Sequence, residues 1–299
     1  MLKKILKWVG IILAGLIGLL IIAGVLAFVV AGVRGNKSYD INAANLTIPT
    51  DEASIQEGAR LVAIRACSEC HGDHFEGQLL FEDPAMGAFY PRNISGGKGS
   101  RTGSFTAADW DRAIRHGIDQ DGKPLKLMPS TDYARISDED LALMIAYLES
   151  LDPVDNSPPI TSLGPLGTVL VATGLFPYAA AEIDHDSPPP VSVSREVSAE
   201  YGAYLAAVCT GCHKPDFSGG SQLGAPPDSL PPANLTPAGD LAHWTQEDFI
   251  NTLRTGVTPE GESLDPDEMP WPITTLMTDD ELASIWLFLS SLEPVVTES

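Results

Sequence analysis

Basic side chains are scarce in this chain: 18 lysines and arginines stand against 40 aspartates and glutamates. The scarcity is greatest from Asn156 onward, where three basic residues accompany twenty acidic ones. The negative electrostatic potential of such a chain repels nucleic acid and anionic lipid. It therefore argues against a nucleic-acid partner and favours a partner with a basic docking surface. Solubility or a salty habitat explains the same charge equally well, so composition alone does not decide between them.

Cysteines and strand patterns are also in short supply. The four cysteines all lie in two pentapeptides, CSECH at 67–71 and CTGCH at 209–213. Without alternating strand patterns there is no βαβ setting for a thioredoxin-like dithiol. The usual zinc site made of two cysteine pairs has roughly 15–20 residues between the pairs, whereas Cys70 and Cys209 are 139 residues apart. Two local disulfides suit an oxidising compartment but leave the histidine of each pentapeptide unexplained.

One uncharged run stands out near the amino terminus, from Trp8 to Val33. Its 26 residues are enough to span a bilayer with some tilt, so we expect residues 1–35 to form a short cytoplasmic tip and a transmembrane anchor. A signal peptide is the alternative, because residues 29–31 resemble a small-residue cleavage site. The run is unusually long for that purpose, since secretory apolar regions hold roughly 7–15 residues.

The charges that flank this run predict its direction in the membrane. Three lysines precede the run and two basic residues follow it: Lys3, Lys4 and Lys7, then Arg34 and Lys37. Basic residues favour the cytoplasmic side of a membrane, so the amino terminus is expected in the cytoplasm. Everything after residue 34 is then expected on the extracytoplasmic, periplasmic side.

The rest of the chain repeats itself. Five sequence blocks recur in the same order, 139 to 142 residues apart when measured at the first cysteine, the asparagine, the arginine, the methionine and the last leucine of the blocks. They are GARLVAIRACSECH and GAYLAAVCTGCH, PRNIS and PANLT, FTAADWDRAIRHG and WTQEDFINTLRTG, KLMPS and DEMPW, and SDEDLALMIAYLESLDPV and TDDELASIWLFLSSLEPV. The pattern predicts two copies of one domain, at residues 36–153 and 195–299, joined by a proline-rich linker at 154–194.

Each copy carries the start and stop signals of helices joined by long loops. The first copy shows a capping box at Thr106–Asp109, a stop at Gly117 and another start at Ser137, and the second copy repeats these signals. In the linker, Leu163–Ala181 is mostly apolar but interrupted by glycine and proline. This pattern predicts a short helix lying on the first domain and argues against a second membrane span. We therefore predict an all-α protein in which a transmembrane helix precedes two tandem domains.

One chemical assignment explains both cysteines and the histidine of each pentapeptide. Cys-x-x-Cys-His is the attachment pattern of haem c, in which both thiols form thioethers and the histidine binds iron. Positions i, i+3 and i+4 share one face of a helix, so the three side chains can meet one flat ligand. We therefore expect two covalently bound haem c groups, one on each of two residue sets: Cys67, Cys70 and His71, and Cys209, Cys212 and His213.

A second axial ligand is expected far down the chain in each copy. Met128 and Met269 follow their histidines by 57 and 56 residues, and each precedes a proline. A thioether suits the axial position of haem iron and raises its reduction potential. Core filling is the alternative role for a methionine, and we assign that role to Met86, Met144 and Met277.

These motifs resemble class I cytochrome c domains, which carry CxxCH on an early helix, a Met-Pro loop and a closing helix such as LALMIAYLESL. The blocks NLTP, WTQEDFINTLRTG and DEMPW are further similar to multi-haem cytochrome subunits that accept electrons from membrane-associated alcohol and gluconate dehydrogenases. Those subunits usually carry three haems, whereas this chain has two attachment motifs. The resemblance therefore implies the domain type more than that partner.

The resemblance also implies roles for residues that match between the copies. Asn93 and Asn234 match in the loop that faces the haem, and Arg115 and Arg254 match on the middle helix. Either pair is a candidate for binding a haem propionate. A favourable charge in the last turn of a helix is the alternative role for the arginines.

Taken with the anchor, the motifs predict a membrane-tethered di-haem cytochrome c that passes single electrons between redox partners and is not itself an enzyme. With both irons bound by His and Met, no position is open for a substrate. A di-haem peroxidase or thiosulfate-oxidising cytochrome is the alternative, because Asp267 and Glu268 precede Met269 and could weaken its bond to iron. A third hypothesis is a fixed electron-transfer subunit of a larger respiratory or photosynthetic complex.

Overall fold

The computed structural model describes residues 1–221 and 229–297 of the chain. It begins with α1 (Leu2–Gly35), an unbroken helix whose apolar side chains are almost all exposed. Within the described residues, α1 is the one helix that is long and apolar enough to cross a membrane. Its 34 residues make it about 51 Å long, so its ends would extend past a hydrocarbon layer of about 30 Å.

The first unit is built around two long helices. They are α2 (Glu52–Ile64) and α6 (Asp138–Ser150), which pack against each other. Between them the chain forms three shorter helices: α3 (Cys67–His71), α4 (Ala107–His116) and α5 (Ser130–Tyr133). The attachment motif therefore lies on its own short helix directly after the first long one, as the sequence predicts.

A minor antiparallel sheet, which the sequence patterns do not predict, joins the first unit to the linker. Its strands are β1 (Phe81–Asp83), β2 (Gly87–Phe89) and β3 (Ser162–Leu163), in that order. Strands of two or three residues are too short to show an alternating pattern. The linker strand β3 leads into α7 (Pro165–Thr173), the predicted linker helix. The helix α7 lies on the first domain at its start, where the amides of Leu166 and Gly167 donate to the carbonyl of Ala85, as predicted. It also packs against α1, which the sequence does not predict.

The second unit repeats the plan of the first. It contains α8 (Ala199–Ala206), α9 (Thr210–His213), α10 (Gln246–Thr255) and α11 (Asp279–Ser291). Here α8 packs against α11, as α2 packs against α6. The described part of the chain is therefore mainly helical, as predicted from the sequence.

In each unit the first helix and the last helix cross at a glycine. A side chain on Gly58 would collide with the backbone carbonyl of Leu143 on α6. In the same way, a side chain on Gly202 would collide with the carbonyl of Ser284 on α11. Only glycine permits the two helix backbones to approach this closely.

The helix starts and stops predicted from the sequence are confirmed. Thr106 and Thr245 each form a capping box with the aspartate three residues later, at the start of α4 and α10. These helices end at Gly117 and Gly256, both in the left-handed conformation. Hydroxyl caps also begin α6 and α11. Local signals therefore place the helices and, with them, the loops that carry the candidate ligands.

The two units pack tightly against each other, and one hydrophobic core runs through both. Arg60 on α2 forms an ion pair with Glu281 on α11, at 2.8 Å. Tyr204 on α8 donates a hydrogen bond to Asp140 on α6, at 2.6 Å. Arg195, just before α8, also contacts Asp140, at 2.7 Å. Each unit thus contacts the last long helix of the other.

The proline-rich linker lies along the first unit. The backbone amide of Asp138 donates to the carbonyl of Pro190, at 3.0 Å. The guanidinium of Arg135 donates to the carbonyl of Pro188, at 2.9 Å. This part of the linker is therefore held by hydrogen bonds to the start of α6 and to the loop before it.

Candidate haem sites

The first attachment motif follows a reversal of the backbone at Ala66. This residue has φ 57°, in the left-handed region, which separates the end of α2 from the start of α3. Cys67, Cys70 and His71 line one cavity of about 300 Å³. Met128, the predicted second axial ligand, lines the same cavity. The structure therefore brings together the four residues that the sequence assigns to this site.

The histidine of each motif is oriented by a backbone carbonyl. Nδ1 of His71 lies 2.7 Å from the carbonyl oxygen of Arg92, and Nδ1 of His213 lies 2.8 Å from that of Ala233. A carbonyl only accepts, so Nδ1 carries the proton and Nε2 keeps its lone pair. Burial lowers the pKa of both imidazoles, because the charged form loses hydration. Each histidine is thus a neutral imidazole with Nε2 available to a metal.

The thiols of both motifs are held in the protonated form. Burial raises the pKa of Cys67 to about 12 and that of Cys209 to about 11. Burial also raises the pKa values of Cys70 and Cys212. The thiolate that a zinc site or a dithiol exchange needs is therefore disfavoured. Within residues 1–221 and 229–297, no cluster of three or more His, Cys, Asp or Glu side chains is suited to a metal ion.

The second unit carries Met269 on the same kind of loop. Met269 packs against the hydrophobic core, as Met128 does in the first unit. The carbonyl of each methionine accepts a hydrogen bond from the amide two residues later, that of Trp271 or Ser130. The methionines that we assign to packing are buried or half-buried: Met86, Met144 and Met277.

The side chains that line the first cavity also suit a haem, in addition to the candidate ligands. Apolar side chains such as Phe105 and Ile114 line the cavity. Trp110 also lines it, and its buried indole Nε1 has no hydrogen-bond partner in the described part of the chain. Trp244 of the second unit likewise has a buried, unpartnered Nε1 among the described residues. A buried donor without a partner is costly unless a ligand accepts from it, so the residues present fit a haem with its carboxylates.

The asparagines that match between the copies do not fit the propionate role, because their amides are used within the protein. Asn93 donates from Nδ2 to the carbonyls of Val154 and Asn156, and its Oδ1 accepts from Ser95. Asn234 also donates to a carbonyl of the segment after the last helix, at 2.7 Å. The residue before each asparagine supplies the carbonyl that orients the histidine. The asparagines therefore position the histidines indirectly.

The matching arginines hold helices together. Arg115 is buried and pairs with Asp111 at 2.6 Å and with Asp138 at 2.8 Å. Arg254 pairs with Asp279 at 2.8 Å. Each arginine links the middle helix of its unit to the first turn of the last helix. These ion pairs account for the match between the copies, although Nη2 of Arg115 is buried without a hydrogen-bond partner among the described residues.

Sequence reasoning missed a residue that lies between the two attachment motifs. Arg65 is 2% exposed, its guanidinium lies over the ring of Tyr204 at 4.9 Å, and its Nη2 has no partner among the described residues. Its positive charge opposes the burial-driven rise in pKa at both Cys67 and Cys209, so it acts on both sites. A signal was present in the repeat, because Arg65 and Ala66 make the first motif block two residues longer than the second.

A second contact joins the two sites. Asp132, four residues after Met128, accepts a hydrogen bond from Thr210 inside the second attachment motif, at 3.3 Å. The neighbouring Tyr133 donates from its hydroxyl to the carbonyl of Arg65, at 3.1 Å. Burial raises the pKa of Asp132. The helix α5, which follows the methionine of one site, thus contacts the attachment helix of the other.

Known proteins resemble the chain over both units. The Cytochrome c family matches residues 55–152 and 199–293. The chain is 29% identical over 282 residues to the cytochrome c subunit of alcohol dehydrogenase (quinone) from Gluconacetobacter polyoxogenes, covering 83% of this chain and 58% of that protein. It is 27% identical to the cytochrome c subunit of gluconate 2-dehydrogenase from Pantoea cypripedii, covering 88% of this chain and 64% of that protein.

A shorter relative matches the two-site organisation more closely in length. The chain is 28% identical to a diheme cytochrome c-type protein from Cereibacter sphaeroides, covering 72% of this chain and 76% of that protein. By contrast, the chain spans only 58% and 64% of the two dehydrogenase subunits. The similarity therefore covers part of the length of these two subunits.

Proposed function

This chain belongs to the cytochrome c family, and from that membership we propose that it is a membrane-tethered di-haem electron carrier on the extracytoplasmic face of a bacterial membrane. Cytochrome c domains carry covalently bound haem c. We assign the axial ligands as His71 and Met128 in the first unit and as His213 and Met269 in the second. The two cysteines of each motif form the thioethers.

One observation carries this proposal: the first cavity is lined by two thiols, an oriented imidazole and a thioether. This donor set suits a haem bound at both axial positions, with no position open for substrate. When bound, the haem supplies reversible one-electron chemistry. The apolar wall excludes water, and the carbonyl of Arg92 holds the Nδ1 proton of His71 so that Nε2 stays unprotonated.

The direct contact between the two units supports a relay within one chain. Asp132 on α5, just after Met128, accepts a hydrogen bond from Thr210 on the attachment helix of the second unit. The chain can therefore accept an electron at one unit and deliver it from the other without the units separating. An isolated single-haem carrier has to dissociate from its donor before it meets its acceptor.

The acidic second unit indicates the chemistry of one partner. Asp265, Asp267 and Glu268 are exposed or half-exposed next to the ligand Met269. Such a surface steers a basic protein and repels an acidic one, with an effect that falls as salt increases. We assign a redox partner with a basic docking surface to this unit. The relatives suggest a membrane oxidoreductase, such as an alcohol or gluconate dehydrogenase, as the other partner.

The helix α1 provides the tether. Its apolar length suffices to cross a membrane, and the three lysines at its amino-terminal end outnumber the basic residues at the other. We therefore orient the amino terminus toward the cytoplasm and the haem units toward the outside. Confinement at the membrane keeps the carrier beside membrane oxidoreductases.

Haem content and ligand binding test the proposal on the full chain purified in detergent. We expect two haems per chain, two one-electron waves in a spectroelectrochemical titration, and no carbon monoxide binding by the reduced protein. Rapid carbon monoxide binding to one haem would instead favour the di-haem enzyme with a labile site. Gentle solubilisation then separates a mobile carrier, which purifies alone, from a fixed subunit, which purifies with a defined membrane complex.

A further inference from the structure

The linker helix α7 packs along the last turns of α1. Ala27 and Gly35 on α1 are half-buried and Ala31 is buried, whereas the residues between them are exposed. These three small residues recur every four positions and form one face of the helix. Ala31 packs with Val171 of α7, and the guanidinium of Arg34 donates to the carbonyl of Val171, at 3.1 Å. The contact fixes α7 relative to α1.

This contact also sets the depth of α7, given the membrane anchor proposed above. Ala31, which packs with Val171, lies two residues before Val33, the end of the uncharged run, which is about 3 Å along a helix. The helix α7 therefore lies beside the outer part of the apolar segment. With nine residues it is about 14 Å long, too short to cross about 30 Å of hydrocarbon. A second span is excluded, but partial insertion is not.

The side of α7 that α1 leaves uncovered is apolar. Leu166 and Val169 are 46% and 41% exposed, and Leu175, just after the helix, is 63% exposed. No charged side chain occurs between Asn156 and Ala181. A continuous exposed apolar surface marks an interaction site. Because α7 lies beside the outer end of this apolar run, at the boundary of the membrane, lipid is the occupant that its position favours.

The neighbouring β-hairpin adds exposed apolar side chains beside two exposed carboxylates, Glu82 and Asp83. Leu79, Leu80 and Phe81 are each about 40% exposed or more. Phe81 belongs to β1, which lies in the same small sheet as β3, the strand that leads directly into α7. The apolar side chains of the hairpin and of α7 thus belong to one connected part of the structure.

We propose that α7 is a second membrane-embedded element, which inserts Leu166 and Val169 among the acyl chains of the outer leaflet. This inference rests on the proposed anchor. Together α1 and α7 hold the first unit at two points, so the unit cannot rotate freely about the anchor. The first haem site then keeps one fixed side toward the membrane, while the acidic second unit stays available to a partner in solution.

Photolabelling from within the bilayer tests this proposal on the full-length holoprotein. The protein is placed in nanodiscs of neutral phosphatidylcholine that contain a lipid with a diazirine on its acyl chain. After irradiation, we expect mass spectrometry to find adducts on peptides of both α1 and α7. The double variant Leu166→Glu, Val169→Glu should lose at least nine tenths of the α7 adducts and keep those on α1. An unchanged haem absorption spectrum shows that the variant has folded.

Two further variants complete the design. Leu175→Glu, just outside the helix, should weaken α7 labelling without altering a helical residue. Val191→Glu is the matched control, because Val191 is 74% exposed but lies in the linker segment bound to the first unit. It should leave the adducts on both helices unchanged.

The outcomes separate this inference from the anchor. Adducts on α1 alone would overturn the embedding of α7 and leave the anchor standing. Adducts on neither helix would overturn both. Labelling of α7 that is insensitive to the glutamate substitutions would also overturn the proposed face, as would labelling of α7 by a water-soluble diazirine alone.

Discussion

The two haem units share one plan, but their first helices meet the attachment motif in different ways. In the first unit, α2 ends at Ile64 and Ala66 reverses the backbone before α3 begins. In the second unit, α8 continues through a 3₁₀ turn at Ala207–Cys209 into α9. The two extra residues of the first unit place the charge of Arg65 between the sites. A duplicated domain can therefore keep its ligand positions while its interface diverges.

Equivalent positions show the same divergence across the interface. Arg60 on α2 and Tyr204 on α8 match in the repeat, and each contacts an acidic residue in the first turn of the other unit's last helix. Arg60 reaches Glu281 as an ion pair, whereas Tyr204 reaches Asp140 through its hydroxyl. The arrangement approximates a two-fold interface in which the matched residue forms the ion pair in one half, whereas in the other half Arg195 pairs with Asp140 beside the Tyr204 hydroxyl.

Removing one methionine at a time should produce the largest difference between the two sites, because only one haem then loses an axial ligand. We expect Met128→Ala to open one iron and Met269→Ala to open the other. The reduction potential of the affected haem should fall by on the order of 100 mV, because axial ligands set haem potentials over about 0.8 V. Spectroelectrochemical titration measures both potentials, and carbon monoxide binding counts the open irons.

A buried methionine outside the sites serves as the control for both variants. Met144 lies in the core of the first unit, so Met144→Ala should lower stability and leave both potentials in place. An unchanged absorption spectrum in either ligand variant would refute that ligand.

Tyr204→Phe should weaken the contact between α8 of the second unit and α6 of the first. Burial raises the pKa of Tyr204, so its hydroxyl stays protonated and donates to Asp140. A hydrogen bond to a charged group contributes about 1.5–3 kcal/mol, and Asp140 keeps its contact with Arg195 in the variant. We therefore expect the free energy of unfolding in denaturant to fall by about 1.5 kcal/mol.

Tyr147→Phe is the control: it removes the same hydroxyl group, but from a tyrosine that lies outside the contact between Tyr204 and Asp140. The ring of Tyr147 packs against Phe75 within the first unit, so its loss of hydroxyl should leave the free energy of unfolding nearly unchanged. Equal losses for the two variants would show that Tyr204 does not contribute through the interface.

Arg65→Met should lower the potentials of both haems together. Removing a buried positive charge stabilises the oxidised, more positive state of each nearby iron. We expect the reduction equilibrium of each haem to shift about tenfold, which is 59 mV for a one-electron couple. Arg65→Lys retains the positive charge, so it should change both reduction potentials much less than Arg65→Met does. A shift confined to one haem would show that the charge is not shared.

The smallest effect concerns a histidine pair that only the first unit has. Nδ1 of His116 on α4 lies 2.9 Å from Nδ1 of His185 in the linker, and Nε2 of His185 donates to the carbonyl of Ala180. His185 therefore accepts at Nδ1 in its neutral form. Desolvation lowers its pKa, and the nearby His116 and Lys37 lower it further, while the Ala180 carbonyl and Asp186 oppose them. A histidine with a lowered pKa stabilises the fold above its unfolded value of about 6.5 and loses this contribution as pH falls toward its folded value.

Acidification below about pH 6.5 should therefore loosen the linker on the first unit. Hydrogen exchange of residues 183–187 should accelerate between pH 7.5 and pH 5.5, after correction for the intrinsic rate. His185→Gln should flatten this dependence, whereas His243→Gln, at an exposed position of the second unit, should retain it. The same slope in both variants would refute the role of His185.

The sequence predicts the parts of the fold that depend on local signals. The Thr106 capping box and the Gly117 stop involve neighbouring residues, so their geometry follows from composition at fixed spacing. The attachment motif is also local, which is why its three side chains can be assigned directly. By contrast, the partners of Arg65 and α7 come from distant parts of the chain, and no local pattern specifies them.

The asparagines illustrate a different limit. Asn93 and Asn234 match between the copies because both units need the same loop, but the match does not say which atoms their amides meet. Only the packed structure shows that they bind backbone carbonyls, since a spacing shared by two repeats is compatible with either a cofactor or a protein partner.

The docked linker has a consequence for the timing of electron transfer. A free proline-rich tether would let the second unit wander, and encounters between the sites would then depend on linker length and solvent viscosity. Because this linker is bound to the first unit and the units share a core, the separation of the two proposed haem sites is set by packing. Transfer between them should thus be insensitive to viscosity. Only the encounters of the protein with its electron donor and its electron acceptor should then depend on diffusion.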